Sequence, residues 1–187
     1  DDAFVESLNA NTGNIQWAKS FGGAGTDEGI GITVDNTGKI YATGAFSSQA
    51  TFGNFTLTSA GGFTGYLVRL DTSGNVVLLR QFGGNNDTLG YSLATDGVGN
   101  VYATGQFQGT ANFGGIALNN PGNRDVFVSV MNPAGDFLAA DRFGSSGNDL
   151  AYQLAVGPNN RVTVVGSANG AMTVSGTALP AQATGFV

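Results

Sequence analysis

Apolar and polar residues alternate along this chain or cluster in short apolar runs, and no segment keeps the 3.6-residue apolar spacing of an amphipathic helix. The runs are rich in β-branched and aromatic residues, which is typical of β-strands. We therefore predict no helix anywhere. In the first complete stretch of the pattern we predict five strands: Gly29–Val34, Lys39–Phe46, Phe52–Thr58, Tyr66–Leu70 and Val76–Phe82.

Short polar segments with strong turn signals separate many of these runs. Each begins with Asp, Asn or Gly and ends in a residue that tolerates positive φ, which is Gly in five cases and Asn160 in the sixth. Two such hairpins in each unit predict a four-stranded antiparallel sheet, with Phe52–Thr58 as an added ribbon or edge. The six segments are Asn9–Gly13, Asp35–Gly38, Asp71–Gly74, Asp96–Gly99, Asn132–Gly135 and Gly157–Asn160.

The chain repeats itself with a period of 61 residues. Residues 12–57 lie over residues 73–118 with 17 of 46 positions identical and no gap, and a more divergent third copy follows. We divide the single array into units 1–62, 63–124 and 125–183, with the start of a fourth at 184–187. Four-stranded units repeated along a chain predict an all-β fold of β-propeller blades.

Three blades are too few to close a ring, because propellers usually have at least four. We favour a piece of a longer propeller. The alternatives are copies of the chain that complete one another, or blades stacked in an open array.

Composition narrows the range of functions. The formal net charge of −6 argues against nucleic acid as a partner, and no apolar run approaches the roughly 18 residues of a membrane helix, so membrane insertion is not expected. The chain contains neither cysteine nor histidine, which excludes a Ser-His-Asp triad, a cysteine nucleophile and ordinary zinc sites from this segment.

Several motifs resemble a known repeat family. The clearest are Phe21-Gly22-Gly23, Gly38-x-Ile40-Tyr41-x-Thr43-Gly44 and Phe52-Gly53, all within unit one. Together with their counterparts in unit two they resemble the bacterial β-propeller repeat often called the SBBP repeat. The resemblance implies blades of about four strands in secreted or surface-attached bacterial proteins. It supplies no catalytic residues.

Acidic residues are the remaining candidates for chemistry. Asp35, Asp71 and Asp96 occupy the first position of predicted turns, so we interpret them as structural. The loops after the Phe-Gly motifs carry further acids, namely Asp27, Glu28, Asp87 and Asp149. We interpret these as capping residues of solvated interblade loops. Calcium binding is the alternative, because oxygen-rich, glycine-flexible loops can hold this ion. We predict no catalytic residue and no other cofactor.

The aromatic residues are predicted to pack. Phe21, Phe82 and Phe143 recur at one blade position, and Phe46 and Phe107 recur at another, as interblade packing requires. Trp17 has no aromatic counterpart and is interpreted as a packing residue, with sugar stacking as the alternative.

Three functions follow from these observations. The leading hypothesis is a non-enzymatic, extracellular or cell-surface propeller segment that acts as a scaffold or adhesion surface, with a protein or a glycan as partner. The second is a structural subunit that self-associates head to tail by strand completion between chains. The third is part of a polysaccharide-active enzyme.

Overall fold

The computed structural model describes residues 1–120, 122–158, 161–174 and 177–179. These residues form eighteen β-strands and no α-helix. Accordingly, this part of the chain holds no helix of the length and apolarity that crossing a membrane requires.

Two complete antiparallel sheets of four strands form the centre of the molecule, and they confirm the predicted all-β, blade-like architecture. We call them the first and the second blade. The first blade consists of β3 (Asp27–Val34), β4 (Ile40–Phe46), β7 (Thr64–Leu70) and β8 (Val76–Phe82). The second blade consists of β9 (Thr88–Thr95), β10 (Val101–Phe107), β13 (Asp125–Met131) and β14 (Phe137–Phe143).

Hairpins flank the two blades. Before the first blade lie β1 (Ala3–Leu8) and β2 (Ile15–Gly23), and after the second lie β15 (Leu150–Val156) and β16 (Val162–Ser167). The first two strands of each sheet pack against the first strand of the next sheet along the chain. Thus β3 and β4 contact β9, and β9 and β10 contact β15. The predicted start of a fourth unit at 184–187 lies outside the described residues.

A short hairpin follows β4, β10 and β16, the three strands that occupy equivalent positions in successive repeats. These hairpins are β5 (Gln49–Phe52) with β6 (Phe55–Thr58), β11 (Thr110–Phe113) with β12 (Ile116–Asn119), and β17 (Met172–Val174) with β18 (Thr177–Leu179). The prediction of one strand over Phe52–Thr58 is therefore wrong. Gly53 has a φ of +59° and reverses the chain there, so the segment holds the end of one strand and the whole of the next.

The hairpin β5–β6 does not extend its own blade. Strand β5 pairs with the end of β2, where Gly22 faces Thr51 and Gly23 faces Ala50. In the next repeat Gly83 and Asn112 make the equivalent bridge between β8 and β11. Each hairpin therefore ties its blade to the sheet that precedes it in the chain.

The tight turns lie together at one end of the blades, which we call the turn end. There Asp35 Oδ1 accepts hydrogen bonds from the N–H groups of Thr37 and Lys39, at 2.8 and 3.0 Å. Asn9, Asp71, Asp96 and Asn132 cap their turns in the same way. The glycines that close these five turns all have positive φ. The structural role predicted for the turn acids is confirmed, whereas Asn160 lies outside the described residues.

Aromatic residues fill the space between the sheets. In the first cluster the ring of Phe52 stacks on Phe21 at 5.4 Å between centroids and contacts Tyr66 at 4.7 Å. The second cluster repeats this arrangement one unit later, with Phe113 contacting Phe82 at 5.2 Å and Phe127 at 4.9 Å.

The predicted aromatic ladders are core positions. The residues concerned are Phe21, Phe82, Phe46 and Phe107, and all four are buried. Phe143, in the divergent third copy, is only half-buried.

Candidate functional site

The end of the blades opposite the turn end carries the longer connections, and we call it the loop end. Strands β4 and β10 finish there and strands β3, β7 and β9 begin there. All four acids that the sequence singled out lie here: Asp27 and Glu28 begin β3, Asp87 directly precedes β9, and Asp149 directly precedes β15. The loop end is therefore where any chemistry of these acids would take place.

The four acids do not come together. Among the residues that the structure describes, no group of three or more Asp, Glu, His or Cys side chains could hold a metal ion. The Asp27 carboxylate accepts a hydrogen bond from Gly23 N–H at 2.8 Å. Asp149 accepts hydrogen bonds from Ser145 N–H and from Asn169 N–H, and is completely buried.

The other two acids are more exposed. Asp87 Oδ1 accepts the N–H of Phe63 at 3.0 Å, and its Oδ2 lies 3.9 Å from Arg124 Nη2. The Glu28 side chain forms no hydrogen bond or ion pair with another described residue, although its backbone carbonyl accepts the Tyr66 hydroxyl at 3.0 Å. Three of the four acids thus cap backbone amides, which is the role that we preferred from the sequence.

Two of these acids have carboxylate neighbours that sequence reasoning missed. A methyl group added at Gly22 would collide with the carboxylates of both Asp2 and Asp27, so these two groups converge. We call a place where such a pair joins two neighbouring sheets a junction. At the next junction along the chain, Thr64 and Thr88 occupy the equivalent positions, and both are buried. Only the alignment of the first residues of β3, β9 and β15 could have revealed the pattern, since each pair joins two different sheets.

The third junction again holds two acids, Asp125 and Asp149, and neither is exposed. Here Arg142 forms an ion pair with Asp125 Oδ2, while Asp125 Oδ1 has no partner among the described residues. The equivalent junctions therefore carry two acids, two threonines, or two acids with an arginine.

Burial raises the pKa of two of these acids, Asp27 and Asp125. It raises the pKa of Asp27, with a further upward contribution from Asp2, although the hydrogen bond from Gly23 acts in the opposite direction. Burial also raises the pKa of Asp125, although Arg142 pulls it down. A raised carboxyl pKa suits proton transfer, but Asp27 is only 2% exposed and Asp125 is fully buried.

An open groove lies beside these junctions at the loop end. It has a volume of about 460 Å³ and lies between the turn after β4, the loop before β7 and the loop before β9. We call it the first groove. It contains one aromatic ring, that of Phe63, and its lining consists chiefly of Ser48, Ser59, Gly61, Gly62, Phe63 and Asp87.

The side chain of Trp17 packs across to the next blade. Its Nε1 donates a hydrogen bond to Thr72 O at 3.0 Å, and its ring lies against Gly74 in the turn between β7 and β8. It also contacts the edge of the first aromatic cluster. The interpretation of Trp17 as a packing residue is confirmed.

Comparison with known proteins agrees with the blade geometry. A family model described as a β-propeller repeat, SBBP, matches residues 79–106, which run from the last strand of the first blade through the first hairpin of the second. The chain has no significant match among curated proteins. Over residues 79–106 the resemblance to the SBBP β-propeller repeat is therefore confirmed.

Proposed function

We propose that this chain is a non-enzymatic segment of an extracellular β-propeller protein, and that it serves as a scaffold whose loop end binds ligands. One contrast carries the proposal: the packing between sheets is the same in successive repeats, whereas the lining of the loop end changes. The constant positions include Phe21 and Phe82, Phe46 and Phe107, and Phe52 and Phe113.

The groove positions differ from one repeat to the next. Phe63 of the first groove is replaced by Arg124 one repeat later, and Asp87 is replaced by Asn148. A rigid scaffold with variable connecting loops is the usual way in which repeat proteins present binding surfaces. The buried state of the acid pairs supports binding over catalysis, since an acid–base residue must reach its substrate.

A binding screen tests the proposal. The protein is applied to a printed glycan array and to immobilised fibronectin and gelatin, and hits are confirmed by calorimetry. Release of reducing ends from polysaccharides is measured in parallel. We expect saturable binding and no turnover. Turnover that is lost in Asp27→Asn or Glu28→Gln would establish the enzyme hypothesis instead.

One observation favours a second candidate function, the assembly of copies through the outer face of β3. Leu93 and Leu154 are buried by the preceding strands, at 6% and 5% exposure, whereas the equivalent Ile32 is 58% exposed. A self-associating chain would cover Ile32 with the first hairpin of another copy.

Light scattering over a range of protein concentrations tests this second candidate. The particle mass should rise with concentration, and Ile32→Ser should weaken the association. Val98, which is 75% exposed in a turn, provides the matched control Val98→Ser. A constant monomer mass, or equal effects of the two variants, would argue against assembly.

A further inference from the structure

Ser48, in the first groove, has an unfavourable backbone conformation. Its φ is +63°, and it is the single non-glycine residue with positive φ in the described part of the chain. The other two repeats place Gly109 and Gly170 at this turn, with φ of +64° and +136°. A left-handed conformation is unfavourable for an ordinary L-residue but not for glycine, so a glycine at this position would have less backbone strain than the serine has.

Ser48 is exposed, and no side-chain hydrogen bond to a described residue accounts for a serine at this position. Its hydroxyl forms no hydrogen bond with any described residue, although the neighbouring Ser47 hydroxyl accepts the N–H of Thr26 at 2.8 Å. The Ser48 side chain instead lines the first groove. Strained residues concentrate at functional sites, and a strained residue with an unused hydroxyl in a groove points to a ligand.

Two other groups in the groove have suitable chemistry. The hydrogen bond from Phe63 N–H fixes one oxygen of the Asp87 carboxylate, while the side chain remains 32% exposed. Its other oxygen lies 3.9 Å from Arg124 Nη2, a long contact that leaves it room to accept a hydrogen bond from a ligand hydroxyl as well. The Phe63 ring is half-buried and offers an apolar surface beside that carboxylate.

This combination matches a sugar better than a peptide. A sugar presents hydroxyl groups to carboxylate and serine oxygens and an apolar C–H face to an aromatic ring. Peptide recognition requires a free strand edge or several apolar pockets, whereas the groove contributes one phenylalanine and two glycines. Its volume of about 460 Å³ falls within the usual range for small-molecule sites.

We propose that the first groove binds a neutral saccharide. Phe63 packs against the sugar ring, and Asp87 and Ser48 bind its hydroxyl groups. The sugar is neutral, because the Asp87 carboxylate lies beside Arg124, so the groove presents no unpaired cation for an acidic sugar, and the overall charge of −6 disfavours anions. This inference rests on the proposed binding function and assigns the class of ligand to one of its sites.

Saturation-transfer NMR and calorimetry test the proposal with four probes: the methyl glycosides of glucose, galactose, mannose and N-acetylglucosamine. We expect at least one of them to bind. Phe63→Ala and Asp87→Asn should each weaken that binding about tenfold, as the loss of a ring contact or a charge-assisted hydrogen bond would.

Ser48→Gly is the most informative variant, because the chain itself uses glycine at this turn in its other repeats. It should weaken binding and leave the unfolding midpoint unchanged or higher. The matched control is Gly109→Ser, which introduces the same strain at the equivalent turn of the next repeat, where the added side chain meets Asn86. It should lower stability and leave glycoside binding unchanged.

The outcomes separate this inference from the function on which it rests. If none of the four glycosides binds while fibronectin, gelatin or a peptide does, the saccharide assignment is overturned and the binding function stands. If nothing binds in either experiment, both are overturned. Glycoside binding that survives both Phe63→Ala and Ser48→Gly would place the sugar elsewhere and refute the assignment of this groove.

Discussion

Replacing Phe52 by alanine should destabilise the fold by about 3–5 kcal/mol, the usual cost of removing a fully buried phenylalanine. About 1.5–3 kcal/mol of this is the transfer of the ring to water, and the rest comes from the cavity and the lost aromatic contacts. The ring packs against Phe21, Tyr66 and Phe46, with centroid distances of 5.4, 4.7 and 6.3 Å. Phe52 thus joins the hairpin β5–β6 to the sheet before it and to its own blade.

The same hairpin supplies the matched control. Phe55 directly opposes Phe52 across the turn but is 42% exposed, so Phe55→Ala should cost about 1 kcal/mol or less. Urea unfolding followed by Trp17 fluorescence measures both variants, because the single tryptophan of the chain contacts the Phe52 cluster. If the two variants lose equal stability, or if Phe52→Ala loses less than about 1 kcal/mol, the hairpin does not anchor the blade as we infer.

Three further predictions concern charge and backbone. Asp27→Asn should raise the free energy of unfolding at neutral pH, because burial raises the pKa of Asp27 above 3.8 and the ionised carboxylate therefore destabilises the fold. This gain in stability should shrink as the pH falls through the raised pKa. Denaturation curves that show the same gain at every pH would contradict the prediction. Asp96→Ala should cost about 1–3 kcal/mol by removing the acceptor of its turn. Burial acts to raise the pKa of Asp96, but the hydrogen bonds to its carboxylate outweigh burial and lower that pKa. The stability cost of Asp96→Ala should therefore disappear as the pH falls below 3.8. An unchanged cost in acid would refute the role of the ionised carboxylate. Gly105→Ala should cost about 1–3 kcal/mol, because the added methyl group would collide with the carbonyl of Leu89. Gly97→Ala is the control, because its methyl group would meet open space. Equal thermal midpoints of the two variants would contradict the close approach of Gly105 to the Leu89 carbonyl.

The turns and most strands of the fold could be predicted because their determinants are local. Asp96 and Gly99 are three residues apart, and the hydrogen bonds and the positive φ that define their turn arise within that segment. The hairpin at Phe52–Thr58 could not be predicted, because a glycine such as Gly53 is compatible both with an irregularity within one strand and with a turn between two strands. Only the pairing of β5 with β6 shows that it forms a turn.

The candidate site was only partly predictable. The sequence singled out Asp27, Asp87 and Asp149 by their position after the Phe-Gly motifs, and all three lie at the loop end. It did not reveal that Asp2 approaches Asp27, nor that Asp125 approaches Asp149. The repeat aligns Ser48 with Gly109 and Gly170, but only the backbone shows that this serine adopts a conformation that glycine prefers.

By itself, the sequence determined the repeat period, which comparison of the chain with itself shows. It also determined the alternating strands and the capped turns, because each of these depends on residues within a few positions of one another. The tertiary structure alone decided that β5 pairs with β2 of the preceding sheet, that acids from different sheets meet at the loop end, and that three separate connections enclose the first groove. These features depend on how whole sheets pack against each other, and that packing is fixed by the summed burial of many side chains rather than by any local motif.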